Sequence, residues 1–277
     1  MATDGPGLCG QSLALAQTEC QSSLMSQPEP PFPAGVGPSV GPWRAVAPGV
    51  FVAVAEPDAV NLGLVVGTDA ALLVDTGSSP EHGRAVRASV AYVTDRPLVG
   101  AVVTHWHYDH AFGLAAFDDL STIGHESLLE RLGSPEATTE AARLGLDPAE
   151  LAGPNRLIVV ATAVDLGGRR VEIAHLGRGH TDGDLVVVVS DADLVFAGDL
   201  IESAGPPSFG PDAVPNEWAG SLDGLIGLMT AKTVAVPGHG EPVGREFVFE
   251  QRGRIAMHAA ELGGSARPGS RPELPLA

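Results

Sequence analysis

Cysteine is almost missing from this chain: Cys9 and Cys20 are the only two in 277 residues. Two thiols so near one end form no disulfide framework, and with no C-x-x-C pair they form no thiolate zinc site or redox couple. Lysine is scarcer still, with Lys232 alone, and 16 basic residues face 34 acidic ones for a net charge of -18. A nucleic-acid backbone needs a basic face, so DNA and RNA are not expected partners. No apolar run approaches the ~20 residues of a membrane span, so no membrane partner is expected. The opening MATDGPGLCGQSLALAQTEC has no basic stretch before its short LALA run. It does not read as an export signal, and a cytoplasmic location is expected. No G-x-G-x-x-G follows the first strand and no P-loop occurs, which removes the main support for a dinucleotide or nucleoside-triphosphate site.

What is present suffices for a large core, with 44% hydrophobic residues and a mean hydropathy of +0.15. Residues 1–42 are rich in Gly, Pro, Ser and Gln and read as a flexible N-terminal arm; residues 264–277 read as a flexible tail. Between them, 43–263 form the expected catalytic domain. Short β-branched runs broken by Gly, Pro and Asp mark strands at 50–56, 60–67, 70–77, 98–104, 157–162, 171–176, 185–190, 194–199 and 233–240. Apolar spacing marks helices at 79–94, 217–230 and 245–262, and Ser134–Pro135 and Asp147–Pro148 open a helical insertion at 134–153. Strands come in runs with helices between the runs. That order suits an α/β protein of two sheets covered by outer helices better than a doubly wound sheet.

The chemistry concentrates in VVTHWHYDHAFG (102–113). His105 and His107 are two apart, so an extended segment turns both the same way. Asp109 and His110 follow immediately, where a turn can aim them at a second point. Imidazoles with a carboxylate suit zinc, iron or manganese and do not suit calcium. One cluster closes no two sites alone. His180 in GRGHTDGD, Asp199 in LVFAGDL and His239 in VPGHGEP each follow or end an apolar run with glycine nearby. His82, His125, His175 and His258 stand outside any such setting and read as packed or surface residues.

This ordered set, THWHYDH, GRGHTDGD, FAGDL and PGHG with LLVDTG upstream, resembles the metallo-β-lactamase-fold hydrolases over roughly residues 43–245. The resemblance implies an αββα sandwich of two mixed β-sheets flanked by helices. It implies two divalent ions at one edge, zinc first, with iron or manganese compatible. His105, His107 and His180 would hold one ion, and Asp109, His110 and His239 the other. Asp199 would bridge them, Asp75 would steady the ligand loops from behind, and Asp109 would also orient the nucleophile and carry its proton. A hydroxide held between the ions would cleave a small ester, lactone, thioester or amide. No serine or cysteine nucleophile is called for.

Asp199 stands where many zinc β-lactamases of the family have cysteine. The 38 residues after His239 are too few for the glutathione-holding domain of glyoxalase-II-like relatives. A one-iron oxygenase resembling the persulfide dioxygenases, or a weak β-lactamase, remains the alternative to the preferred reading. Trp106 and Tyr108 alternate with the ligands and are expected to pack away from them. Phe209 and Trp218, in or beside the proline-rich stretch 203–218, are expected to shape an apolar substrate pocket.

Overall fold

The computed structural model describes Met1 and residues 38–264. Nearly all of the expected arm, and the tail from 265, lie outside the described residues.

Two blocks of strands follow one another along the chain. The first holds β1 (Ser39–Val40), β2 (Arg44–Ala47), β3 (Val50–Glu56), β4 (Val60–Val66), β5 (Ala71–Val74), β6 (Leu98–Val102), β7 (Ser121–His125) and β8 (Arg156–Ile158). Its order is β3-β4-β5-β6-β7-β8, with β1 and β2 beside β3. The tight connections from β2 to β5 make antiparallel pairs, whereas β5 to β8 run parallel. The second block holds β9 (Ala161–Asp165), β10 (Arg170–His175), β11 (Leu185–Val189), β12 (Leu194–Glu202), β13 (Val234–His239) and β14 (Val243–Gly244). Only β12 and β13 are parallel there. The blocks join through a single residue pair, His239 of β13 with Val60 at the start of β4.

The blocks fold face to face over a shared core. Val52, Leu72, Val74 and Val102 of the first meet Val187, Phe196 and Val236 of the second. Gly63 on β4 lies under the Phe196 ring, where a Cβ would collide with it. The outer face of the first block is covered by α1 (Pro80–Val90) through Ala85, Val86 and Val90. The remaining helices are α2 (Tyr108–Ala111), α3 (Ser127–Leu132), α4 (Pro135–Arg143), α5 (Pro215–Leu228) and α6 (Arg245–Gly264). Leu222 and Leu225 of α5, with Val248 and Ile255 of α6, cover the second block. The layers are helix, sheet, sheet, helix, as the sequence suggests. Strands buried on both faces read as unbroken apolar runs such as LVVVV. The starts of α1 and α4 are sharp because Ser79 and Ser134 accept hydrogen bonds from His82 N and Ala137 N, with proline next in each.

Two expectations change. The run 157–162 is not one strand: β8 ends at Ile158 on the edge of the first block and β9 starts at Ala161 on the edge of the second. Val159 and Val160 between them are 53% and 69% exposed. Order also begins before Trp43. Ser39 and Val40 pair with Glu56 and Ala55, and Val40 is 1% exposed. Among the described residues, no helix is long and apolar enough to cross a membrane.

Candidate metal centre

β5 and β6 lie side by side and parallel, so the loops after them emerge together. The first carries Asp75, Thr76 and Gly77; the second carries Thr104 to His110. Thr76 donates from its N–H and its hydroxyl to the His110 carbonyl, at 2.9 and 2.8 Å. His107 precedes α2, and its carbonyl accepts from His110 and Ala111. That turn reverses the chain and brings Asp109 and His110 back toward His105. His180 arrives on the loop between β10 and β11, and His239 ends β13. Asp199 sits within β12, not at its end, at a place where irregular register against β13 re-aims the strand.

All seven residues meet at one rim. His105 Nε2 and His180 Nε2 lie 3.1 and 2.9 Å from His107 Nδ1. Asp199 Oδ2 lies 3.8 Å from His105 Nε2 and 3.4 Å from His180 Nε2. Beside this group, Asp109 Oδ2 is 3.3 Å from His239 Nε2 and 3.6 Å from His110 Nε2. Asp199 reaches this second group too, with Oδ1 3.3 Å from His110 Nε2 and Oδ2 3.6 Å from His239 Nε2.

The outward-facing ring nitrogens are all engaged. His105 Nδ1 meets Thr104 Oγ1 at 3.1 Å, and His107 Nε2 meets Asp212 Oδ2 at 3.2 Å. His180 Nδ1 meets the Ser208 carbonyl at 3.2 Å, and His239 Nδ1 the Asp58 carbonyl at 3.1 Å. His110 Nδ1 meets Asp75 Oδ2 at 2.8 Å. Asp75 also accepts from Thr104 N and Thr104 Oγ1, at 2.7 and 3.0 Å. Its φ of 63° is a left-handed conformation that aspartate tolerates better than most residues. An acceptor that holds the proton on one ring nitrogen leaves the other with a lone pair pointing inward.

The electrostatics ask for a cation. Burial opposes charge on His110, yet Asp75, Asp109 and Asp199 outweigh it and raise its pKa well above the usual imidazole value. Burial likewise opposes charge on Asp199, but His110 and the other imidazoles hold it well below the usual carboxylate range. Burial lowers His180 to about 4, so its imidazole is neutral at pH 7. Among the described residues, His110 Nε2 and Asp199 Oδ1 are buried with no hydrogen-bond partner. Buried polar atoms without partners are costly, and these two point at the same place. The donor set of imidazole nitrogens and carboxylate oxygens therefore fits divalent metal ions.

A cleft of about 1100 Å³ opens over this rim, walled by the Asp58 loop, α4 and the loop 204–212. Trp106 is buried as expected, but it does more than pack: its indole N–H donates to Asp212 at 2.7 Å. Asp212 is held at about 2, since its bond to His107 outweighs burial. Tyr108 lines the cleft and donates to Asp58 at 2.8 Å. Phe209 and Trp218 do not line it. Trp218 is fully buried on the inner face of α5, with its N–H on the Leu200 carbonyl, and Phe209 packs between Trp218 and His258. The proline-rich loop does wall the cleft, but through its backbone and small residues, while its aromatic ring turns to the core. The string GPSVG (37–41) matches G-x-S-x-G, yet Ser39 is buried in β1 with its carbonyl against His82, not on a strand-to-helix turn.

The model of the metallo-β-lactamase superfamily matches residues 55–239, a span that opens in β3 and closes on the last of the seven residues. The chain belongs to the metallo-β-lactamase superfamily. It is a metal-dependent hydrolase of that group. It is 26% identical to a type 2 metallo-β-lactamase of Bacillus sp. (strain 170), over 72% of this chain and 73% of that one. It is also 26% identical to the acyl-coenzyme A thioesterase MBLAC2 of Bos taurus, over 68% of this chain and 76% of the other. The fold matches a metallo-β-lactamase from Pontibacter korlensis with a TM-score of 0.62 at 20% identity, covering 77% of this chain and 98% of that one. A metallo-β-lactamase from Erythrobacter litoralis with β-mercaptoethanol in its active site gives 0.61 at 23%, covering 80% and 96%.

Proposed function

We propose that the chain is a binuclear hydrolase of small-molecule acyl substrates: an ester, lactone, thioester or amide. The observation that carries this reading is Asp199, whose two oxygens face two separate groups of ligand atoms, one of them with no other partner. His105, His107 and His180 would hold one ion and Asp109, His110 and His239 the other, with Asp199 shared. Bound there, two divalent ions would bring the pKa of water near neutrality and polarise a substrate carbonyl. Zinc suits this imidazole-rich set, and iron and manganese are compatible.

The chain's own residues do the rest. Burial works against ionising Asp109, but His110 and His239 outweigh it and lower its pKa. It is ionised at neutral pH and faces the cleft, where it orients the attacking water and accepts its proton. Asp75 and Thr104 hold His110 and His105 in place. Relatives named as a thioesterase and as β-lactamases support a carbonyl carbon as the point of attack.

The test is hydrolysis of a panel of esters, lactones, thioesters and β-lactams by protein of measured metal content. Activity lost on chelation and restored by zinc, manganese or iron is expected. Full activity after chelation overturns the reading, and so does a single iron with oxygen consumption and no hydrolysis.

A further inference from the structure

The cleft over the metal centre is lined by acids with almost nothing to balance them. Besides Asp109 and Asp199, its walls carry Asp58, Glu136, Glu140, Glu202 and Asp212, and among the described residues the one lining arginine or lysine is Arg131. Arg131 is already committed: its guanidinium donates to both oxygens of Asp182, at 2.6–3.2 Å. Nearby Arg143, over the Tyr108 ring, is paired with Glu140 at 2.7 Å. Lys232 stands ahead of β13, whose far end carries His239, so the strand's own rise keeps it roughly 20 Å away. Glu136, in the first turn of α4, is exposed and makes no ion pair among the described residues.

We propose that this cleft selects acyl substrates whose body beyond the scissile bond is cationic, and disfavours those carrying a carboxylate or phosphate. The inference rests on the metal-centre reading and adds a substrate class to it. The metals attract charge at the reacting carbonyl, but the walls decide what the rest of the molecule meets. A carboxylate there finds no free guanidinium or ammonium among the described residues and faces Glu136 and Asp58. An ammonium finds both. β-Lactams carry a carboxylate and coenzyme A carries phosphates, so neither relative's substrate has the charge these walls favour.

Binding tests this without requiring turnover. Cobalt-loaded protein is titrated with three thiophenols bearing para aminomethyl, hydroxymethyl or carboxymethyl groups, and thiolate binding is followed by its charge-transfer band. The rigid ring keeps the tail off the metals, so tail charge is the one variable. The ammonium compound should bind about tenfold more tightly than the carboxylate at low ionic strength, with the neutral one between, and salt should compress the series. Glu136→Gln should narrow the gap and Glu136→Lys should close or invert it; the site is exposed, so both variants should fold. Equal affinities, or a tighter carboxylate, overturn the inference while leaving the metal centre standing. Failure of all three thiols to bind overturns the metal-centre reading and this inference with it.

Discussion

Five imidazoles at one point are useful only if each offers a lone pair inward, and that depends on what holds the opposite nitrogen. For His107 the holder is Asp212, the contact the sequence reading missed. The reason is physical. Ligands announce themselves by type and spacing, but Asp212 lies in a Pro/Gly-rich loop 105 residues from His107, and only folding brings the two to 3.2 Å. Asp75 was legible because it ends an apolar strand in a recognisable DTG turn. Asp212→Ala should therefore weaken binding of the ion that His105, His107 and His180 would hold by about 10–100-fold and leave the proposed second site nearly unchanged. Stepwise metal titration checks this; an unchanged first affinity contradicts it. Asp184 gives a pH test at the same scale. Burial raises it to about 7, although Thr181 donates to it from its N–H and its hydroxyl. Its unfolded value is near 3.9. The folded state thus binds this proton more tightly. The contribution is full below about pH 4 and is lost as pH rises through 7, up to about 4 kcal/mol. Asp184→Asn keeps an oxygen for Thr181 and cannot ionise. Urea midpoints of the metal-free variant should fall less between pH 4 and 7 than those of the parent, and parallel curves contradict the assignment.

At the scale of elements, a strand was read well where burial on both faces leaves an unbroken apolar run, as in β11. The run 157–162 misled because apolar residues alone do not mark a break. Val159 and Val160 cross between the blocks in the open, and nothing in their type says so. The position of Asp199 was likewise seen only in part. It was expected at the end of a strand, whereas β12 continues to Glu202 and the irregular pairing with β13 sets its direction. That places Gly238 of β13 directly against the Asp199 carboxylate, where a Cβ would overlap Oδ1. Gly238→Ala should lower metal content in proportion to the displacement of Asp199, with circular dichroism near that of the parent. Full metal content in a folded Gly238→Ala protein would show that Asp199 has room to move.

The whole molecule is a frame that brings loops and two strands to one rim, and among the described residues part of its stability comes from outside the expected domain. β1 lies within the segment read as an arm, yet Val40 is buried and the Ser39 carbonyl meets His82 Nε2 at 3.1 Å. Removing residues 1–42 should lower the melting temperature by about 4–8 °C relative to removing 1–37, since a buried valine contributes roughly 2 kcal/mol. Equal melting temperatures would show that β1 adds nothing. The same frame sets the charge of the centre. Two dications held a few ångströms apart would repel, and among the seven proposed ligands only Asp109 and Asp199 carry negative charge. Asp199 alone reaches both groups. The deciding measurement is metal stoichiometry of the parent and of Asp199→Asn, by elemental analysis after reconstitution and gel filtration. The account predicts two ions per chain in the parent and about one in the variant, with both proteins folded. A parent that binds only one ion, or a variant that keeps two, contradicts it.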